Sequence, residues 1–289
     1  MTQPPDFHNQ TKNELRSVLQ RQTRLLDSLI HSLMDPSATH DASSVETRDV
    51  VVLMIQSLGV SIHSVLRLTE NIDMAIRDCF GIARSTSELA VNVAYIVASP
   101  VEIARRAQQH AMQKSYRDLV RAGSVGGTAF NLSRSNVPPS SGIPGMDAAL
   151  ALFTDKKGRE VRDWTDDNID KRIEVVAALS KAASTSLSGS VFAIYRHSSE
   201  LLHGTYFGVV HYWTGSGIHD RSKAGFERLW LTEHFITVFT ATFFGAMGVV
   251  EACAKRFDIN HLFEPQRELR EKTAALIERI NAKENPASA

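Results

Sequence analysis

One segment of this chain carries, at a fixed spacing, residues able to move a proton and to hold an anion. In SVFAIYRHSSELLH, residues 190 to 203, six residues separate Arg196 from His203, and the polar His197 follows the arginine directly. A step of seven residues returns to the same helical face after two turns. An imidazole can take the proton of a ribose 2′-hydroxyl, and a guanidinium can stabilise the charge that develops on the phosphate under attack. Only RNA carries that internal nucleophile, so these residue types point to metal-independent RNA cleavage, with Arg196 and His203 as the catalytic candidates.

A looser pattern, an arginine and then a histidine after four to six intervening residues, recurs at Arg24 with His31, Arg105 with His110, Arg228 with His234 and Arg256 with His261. Arg196 is set apart by its polar neighbour and its apolar helix. It is set apart also by a second polar stripe that could complete a pocket. In IARSTSELAVNVAYIVA, residues 82 to 98, Arg84, Glu88, Asn92 and Tyr95 recur every three or four positions and share one face. If the two stripes face each other, they build a charged pocket supported by Arg84, Glu88, Asn92, Tyr95, Tyr195 and Glu200. The structural alternative is a buried ion-pair network that fixes helix register, with Glu88 neutralising an arginine and His203 serving the helix dipole before Gly204.

RNA is the partner this chemistry needs. Arg106, His110, Lys114, Arg117 and Arg121 fall on one expected helical face, where cations can position phosphates; a solvated charged surface is the alternative. Other chemistries find no support. His203, His211 and His219 are spaced by eight but form no metal-binding pattern. GSVGG at 123 to 127 follows a helix rather than a strand, and there is no Walker loop or GxSxG elbow, so no cofactor and no metal are expected.

The elements that position these residues read as helices throughout. Leu15, Leu19, Leu26, Ile30 and Leu33 mark an amphipathic helix over 11 to 34, stopped by Asp35-Pro36 and followed by a polar linker, PSATHDASS. Long helices are expected over 46 to 68 and 72 to 98. Ser99-Pro100-Val101-Glu102 reads as a serine N-cap with a capping-box glutamate, opening a helix to Ala122 with Gly123 as its C-terminal cap. Residues 123 to 145 read as a loop or lid, and no hairpin is expected. Short helices follow at 146 to 153 and 169 to 186, then one over 190 to 203, a loop through GTYFGVVHYWTGSGIHD, and helices over 223 to 256 and from Pro265 to about 283. The fold expected is an all-α, multi-helix bundle of long antiparallel helices with an appended N-terminal helix. It divides into 1 to 45, a core of 46 to 256, and a C-terminal helix and tail of 257 to 289.

Composition agrees with a folded chain. Of 289 residues, 43% are apolar and 22% charged, and 32 basic residues balance 32 acidic ones, so no global field draws the chain to nucleic acid or acidic lipid. Cys79 and Cys253 sit in apolar patterns and suggest no disulfide framework. No secretory signal is evident, so a cytoplasmic location is expected. The uncharged stretch Phe235 to Val250 is 16 residues long, short of the roughly 20 a span requires, and reads as a buried central helix, with membrane association through its apolar surface as the alternative.

Arg84-Ser85-x-x-Glu88-x-x-x-Asn92-x-x-Tyr95, with Tyr195-x-x-Ser198 and His203-Gly204 downstream and Trp164 before a polar helix start, resembles the bacterial domain-of-unknown-function family fifty-six seventy-seven. That resemblance covers roughly residues 50 to 255 and implies an all-helical fold without an activity. The run from Arg196 to His203 is also similar to the motif of the HEPN ribonucleases. This second resemblance implies a homodimer whose paired motif helices form a composite, metal-independent site, serving bacterial stress or phage defence. The opposing expectation is a non-catalytic helical module that binds a protein or a small ligand.

Overall fold

Apolar residues recurring every three or four positions wind the chain into helices whose inward stripes share one core. The computed structural model describes residues 5–35, 41–134, 136–217 and 221–284, and 76% of it is helical. The helices α1 (Pro5–Leu33), α2 (Ala42–Leu68) and α3 (Ile76–Ala98) pack antiparallel. The expected N-terminal helix joins the bundle by burying Leu15, Leu19, Leu26, Leu29 and Leu33. Burial of each such side chain stabilises by about 1.5–3 kcal/mol. Residues 36–40 of the expected linker lie outside the described residues.

The chain turns between α2 and α3 because the carbonyls there have other partners. Lys12 Nζ donates to Glu70 O at 3.0 Å and Arg16 Nη1 to Leu66 O at 2.6 Å, placing cations at the C-terminal end of α2. Trp230 Nε1 takes Asp73 O at 3.0 Å and the Tyr212 hydroxyl takes Met74 O at 3.1 Å. The helix expected from residue 72 therefore starts at Ile76.

The next helix, α4 (Val101–Arg117), departs from expectation at both ends. Ser99 closes α3 in extended backbone and makes no side-chain cap to α4; Pro100 stands at the cap position instead. Glu102 pairs with Arg105 at 3.8 Å rather than folding back. At the far end the helix stops short of Ala122, and the chain enters an antiparallel hairpin of β1 (Val120–Val125) and β2 (Thr128–Ser133). Gly126 and Gly127, with φ of 57° and 80°, form its two-residue turn, a conformation that favours glycine at both positions. The expected loop is thus a hairpin over its first half, with every strand residue exposed.

After α5 (Met146–Leu152) come α6 (Ile169–Leu179) and α7 (Lys181–Leu202). Ser180 separates these two, its φ of −151° breaking the helix while its hydroxyl accepts from Ala183 N at 3.2 Å. The helix expected from 190 is the second half of α7. The chain then forms α8 (Tyr206–Thr214), where a loop is expected, followed by α9 (Lys223–Leu229), a π turn (Trp230–His234), α10 (Phe235–Arg256) and α11 (Phe263–Glu284).

The central member is α10, packed on α3, α7 and α1. Two helical stretches, Ser43–Leu68 and Lys223–Arg256, are long and apolar enough to cross a membrane. The apolar window of the second is 78% buried against 39% for the first, so α10 is a core helix as expected. At the middle of the core, Ser190 Oγ donates to Ala241 O and lies 2.7 Å from Ser87 Oγ, tying α3, α7 and α10 at one point.

Candidate functional site

The two polar stripes do not build one pocket. On α3 the stripe divides. Arg84 Nε meets Glu88 Oε1 at 3.0 Å and its guanidinium lies 4.6 Å from the centre of the Tyr195 ring, which is the α3–α7 contact expected. Asn92 and Tyr95 turn to α6 instead. Arg172 Nη1 donates to Asn92 Oδ1 at 2.6 Å and Nε to Asp167 O at 2.8 Å, while the Tyr95 hydroxyl donates to Asp167 Oδ2 at 2.7 Å. The Arg172 guanidinium also covers Trp164 at 5.4 Å. Burial, reinforced by the bond to Asp167, raises the Tyr95 hydroxyl above its ordinary pKa. The expected single pocket is replaced by two closed networks, because α6 supplies Arg172 and the segment before it Asp167, neither of which spacing within α3 reveals.

The expected basic face is also engaged. Arg106 Nε donates to Trp164 O at 2.8 Å and its guanidinium lies 5.2 Å from the Phe153 ring centre. Lys114 pairs with Glu160 at 2.7 Å, and Arg117 holds Gln113 Oε1 and Thr154 Oγ1, both at 2.7 Å. These side chains pin residues 153–164 onto α4. Arg121 belongs to β1, not to that helix, and pairs with Asp118 at 3.6 Å.

The C-terminal end of α7 is different. Arg196 and His203 are both exposed. Among the described residues no hydrogen bond or ion pair engages either side chain. The other four histidines at the recurring spacing each have a ring nitrogen committed: His31 to Asp27 O at 2.8 Å, His110 to Arg162 O at 3.0 Å, His234 to Tyr212 O at 2.9 Å and His261 to Ser32 Oγ at 3.3 Å. Glu200 braces the turn into α8, its Oε2 accepting from Thr205 Oγ1 at 2.7 Å while Thr205 Oγ1 caps Gly208 N at 3.1 Å. Gly208 lets α8 lie directly on α7, since a Cβ there would sit 2.5 Å from the Glu200 carbonyl carbon. Leu202 at the end of α7 and Tyr206, Phe207, Val209 and Trp213 of α8 are exposed apolar residues.

Beneath α8 lies a histidine cluster that the sequence reading does not identify. His197 and His211 stack with ring centres 4.2 Å apart and planes 13° apart, and His234 approaches His211 at 5.8 Å. The π turn puts His234 and Trp230 on the inner side. His197 Nδ1 is buried and, among the described residues, has no hydrogen-bond partner. Burial pulls both stacked imidazoles below the ordinary histidine pKa, with His211 and then Arg196 lowering His197 further and Glu233 opposing the shift in both. The signal in the sequence was faint: the two residues are 14 apart, across a helix break.

Of the evenly spaced histidines, His219 lies outside the described residues. Among the described residues no group of three or more His, Cys, Asp or Glu is arranged to hold a metal ion. Cys79 and Cys253 are buried, each thiol pushed up to about 12 by burial, so neither is a ready nucleophile. Comparison with protein-family models, with curated proteins and with solved structures finds no match to this chain.

Proposed function

We propose that the C-terminal end of α7 is a metal-independent RNA-cleaving site, completed by a second copy of the chain. The observation that carries this reading is that Arg196 and His203 share a face, reach solvent and have no protein partner among the described residues. A cation with no protein counter-ion is open to an anionic ligand. The resemblance of the run from Arg196 to His203 to the HEPN motif supports the same reading, and it rests on those residues alone.

In the reaction His203 accepts the proton of a ribose 2′-hydroxyl as the 2′-oxygen attacks the adjacent phosphorus. The bond from phosphorus to the 5′-oxygen breaks, leaving a 2′,3′-cyclic phosphate, and the 5′-oxygen takes a proton from a second imidazole or from water. Arg196 neutralises charge on the non-bridging oxygens. Two turns of helix separate the two residues by about 10 Å along the axis, so pairing two copies of α7 would bring an arginine and a histidine closer to one phosphate. The exposed apolar surface of α8 supports such a pairing. RNA is the substrate, no cofactor takes part, and the reading locates the protein in the cytoplasm.

The second reading, a non-catalytic binding module, is favoured by the closed Arg84–Glu88–Tyr195 network and by the structural use of the α4 cations. Cleavage of a mixed RNA pool with EDTA present separates the two. Wild type should cut, and Arg196→Ala and His203→Ala should each lose cleavage while staying folded. Mixing those two variants should restore part of the activity, because one of the two composite sites in a mixed dimer is intact. An uncut pool with wild type at every enzyme concentration favours the binding module.

A further inference from the structure

A cleft of about 580 Å³ opens between the N-terminal half of α7, α10 and α11, far along α7 from His203. That volume falls within the roughly 300–1,000 Å³ of small-molecule sites. Its floor is apolar: Phe244 and Met247 from α10 face Ala182 and Gly189 from α7. Gly189 is the informative residue. A Cβ there would meet nothing closer than Phe244 at 3.9 Å, an ordinary contact, so helix packing does not require glycine. Glycine within a helix costs about 0.5–1 kcal/mol relative to alanine. What its missing side chain preserves is the open space.

The polar groups around the cleft divide into engaged and unengaged. Thr185 Oγ1 donates to Lys181 O and Ser186 Oγ to Ala182 O and Glu251 Oε2. Arg270 is ion-paired with the buried Glu251. Lys181 is exposed at the rim and, among the described residues, has no hydrogen bond or ion pair from its ammonium group. It lies in the first turn of α7, where the helix dipole adds positive potential. An apolar floor ending at one unneutralised cation is complementary to an amphipathic molecule with a single negative head.

We propose that this cleft binds a medium-chain amphipathic carboxylate, its chain against Phe244 and Met247 and its head at Lys181. The site is independent of the RNA reading and shares no residue with it. Decanoate, kept below its aggregation concentration, is the probe, titrated calorimetrically into the full chain. Saturable one-to-one binding is expected, with decyltrimethylammonium failing to bind. Lys181→Gln should weaken decanoate by about tenfold, the effect of losing one charge-assisted hydrogen bond. Gly189→Leu should abolish binding by filling the cleft. Should the leucine variant not fold, Gly189→Ala, whose added atom fits the packing, should still weaken binding. Absence of saturable binding by wild type, unchanged affinity in Lys181→Gln and the folded Gly189 variant, or equal binding of the cationic probe would each overturn the proposal.

Discussion

Two polar regions, one around α3 and α6 and one at the C-terminal end of α7, look alike in sequence and differ in how their hydrogen-bonding groups are used. Around α3 and α6, Asn92, Tyr95, Asp167 and Arg172 bond to one another, with Trp164 stacked over the arginine. Among the described residues at the end of α7, Arg196 and His203 bond to nothing, and His197 Nδ1 is buried and has no hydrogen-bond partner. A buried polar group left unpaired costs about 1–3 kcal/mol, so closure is what a structural cluster needs. The open set gains nothing for the fold from Arg196 or His203. Saturation of hydrogen bonds, rather than residue type or helical spacing, separates the groups that hold this fold from those available to a ligand.

That contrast can be broken by mutation. The largest effect expected is on chemistry: His203→Ala should lower RNA cleavage by about 10²–10⁴-fold, the usual contribution of general acid–base catalysis. Because the side chain is exposed and unengaged, the melting temperature should not move. A large fall in melting temperature would place His203 with the structural cluster instead.

Next in size is Gly208→Ala. Its Cβ would lie 2.5 Å from backbone of Glu200, which cannot swing away. A loss of about 3 kcal/mol in urea unfolding is expected, the upper end of overpacking costs. A neutral result would mean that α8 is not clamped to α7 and that its exposed apolar residues are not fixed. On the closed side, Arg172→Met should cost about 2 kcal/mol by leaving Asn92 Oδ1 and Asp167 O without their donor. It should leave RNA cleavage unchanged. Cleavage lost without a change in stability would erase the distinction between the regions.

The smallest effect is on pH. His197 and His211 have pKa values below the ordinary 6.5 in the folded chain, mainly through burial. The unfolded chain therefore binds protons first as pH falls, so their contribution to stability is complete above about 6.5 and declines below it. Urea midpoints should be flat between pH 8 and 7 and fall towards pH 5.5, and His211→Phe should shallow that fall. An unchanged slope in this variant would mean that the histidine stack does not set the pH dependence of stability.

Much of the fold was legible because α1, α2, α3, α10 and α11 are long and periodic, and the uncharged run of α10 is short for a span and suits a core. The hairpin was hidden because VRAGSV and TAFNLS lack a buried face and so show no alternation, leaving Gly126-Gly127 as the sole signal. Four glycines disguised α8 and its surroundings as loop, although Gly208 is the point where that helix touches α7. At the site, spacing correctly put Arg84, Glu88, Asn92 and Tyr95 on one side of α3, but it carries no information on which neighbour each residue meets. Arg172 and Asp167 intercept two of them from 70 to 80 residues away. The stack of His197 on His211 likewise depends on a turn at Gly204 and Thr205 that periodicity does not encode.

The proposed chemistry has Arg196 and His203 act on the 2′-hydroxyl of RNA. Its most direct test is a single oligoribonucleotide and its 2′-deoxy counterpart, incubated in EDTA with wild type and with His203→Ala, the products resolved by end group. Wild type is expected to cut only the RNA, leaving 2′,3′-cyclic phosphate and 5′-hydroxyl ends, and the variant to leave both strands whole. Intact RNA with wild type, equal cutting by the variant, or cutting of the deoxy strand would contradict it.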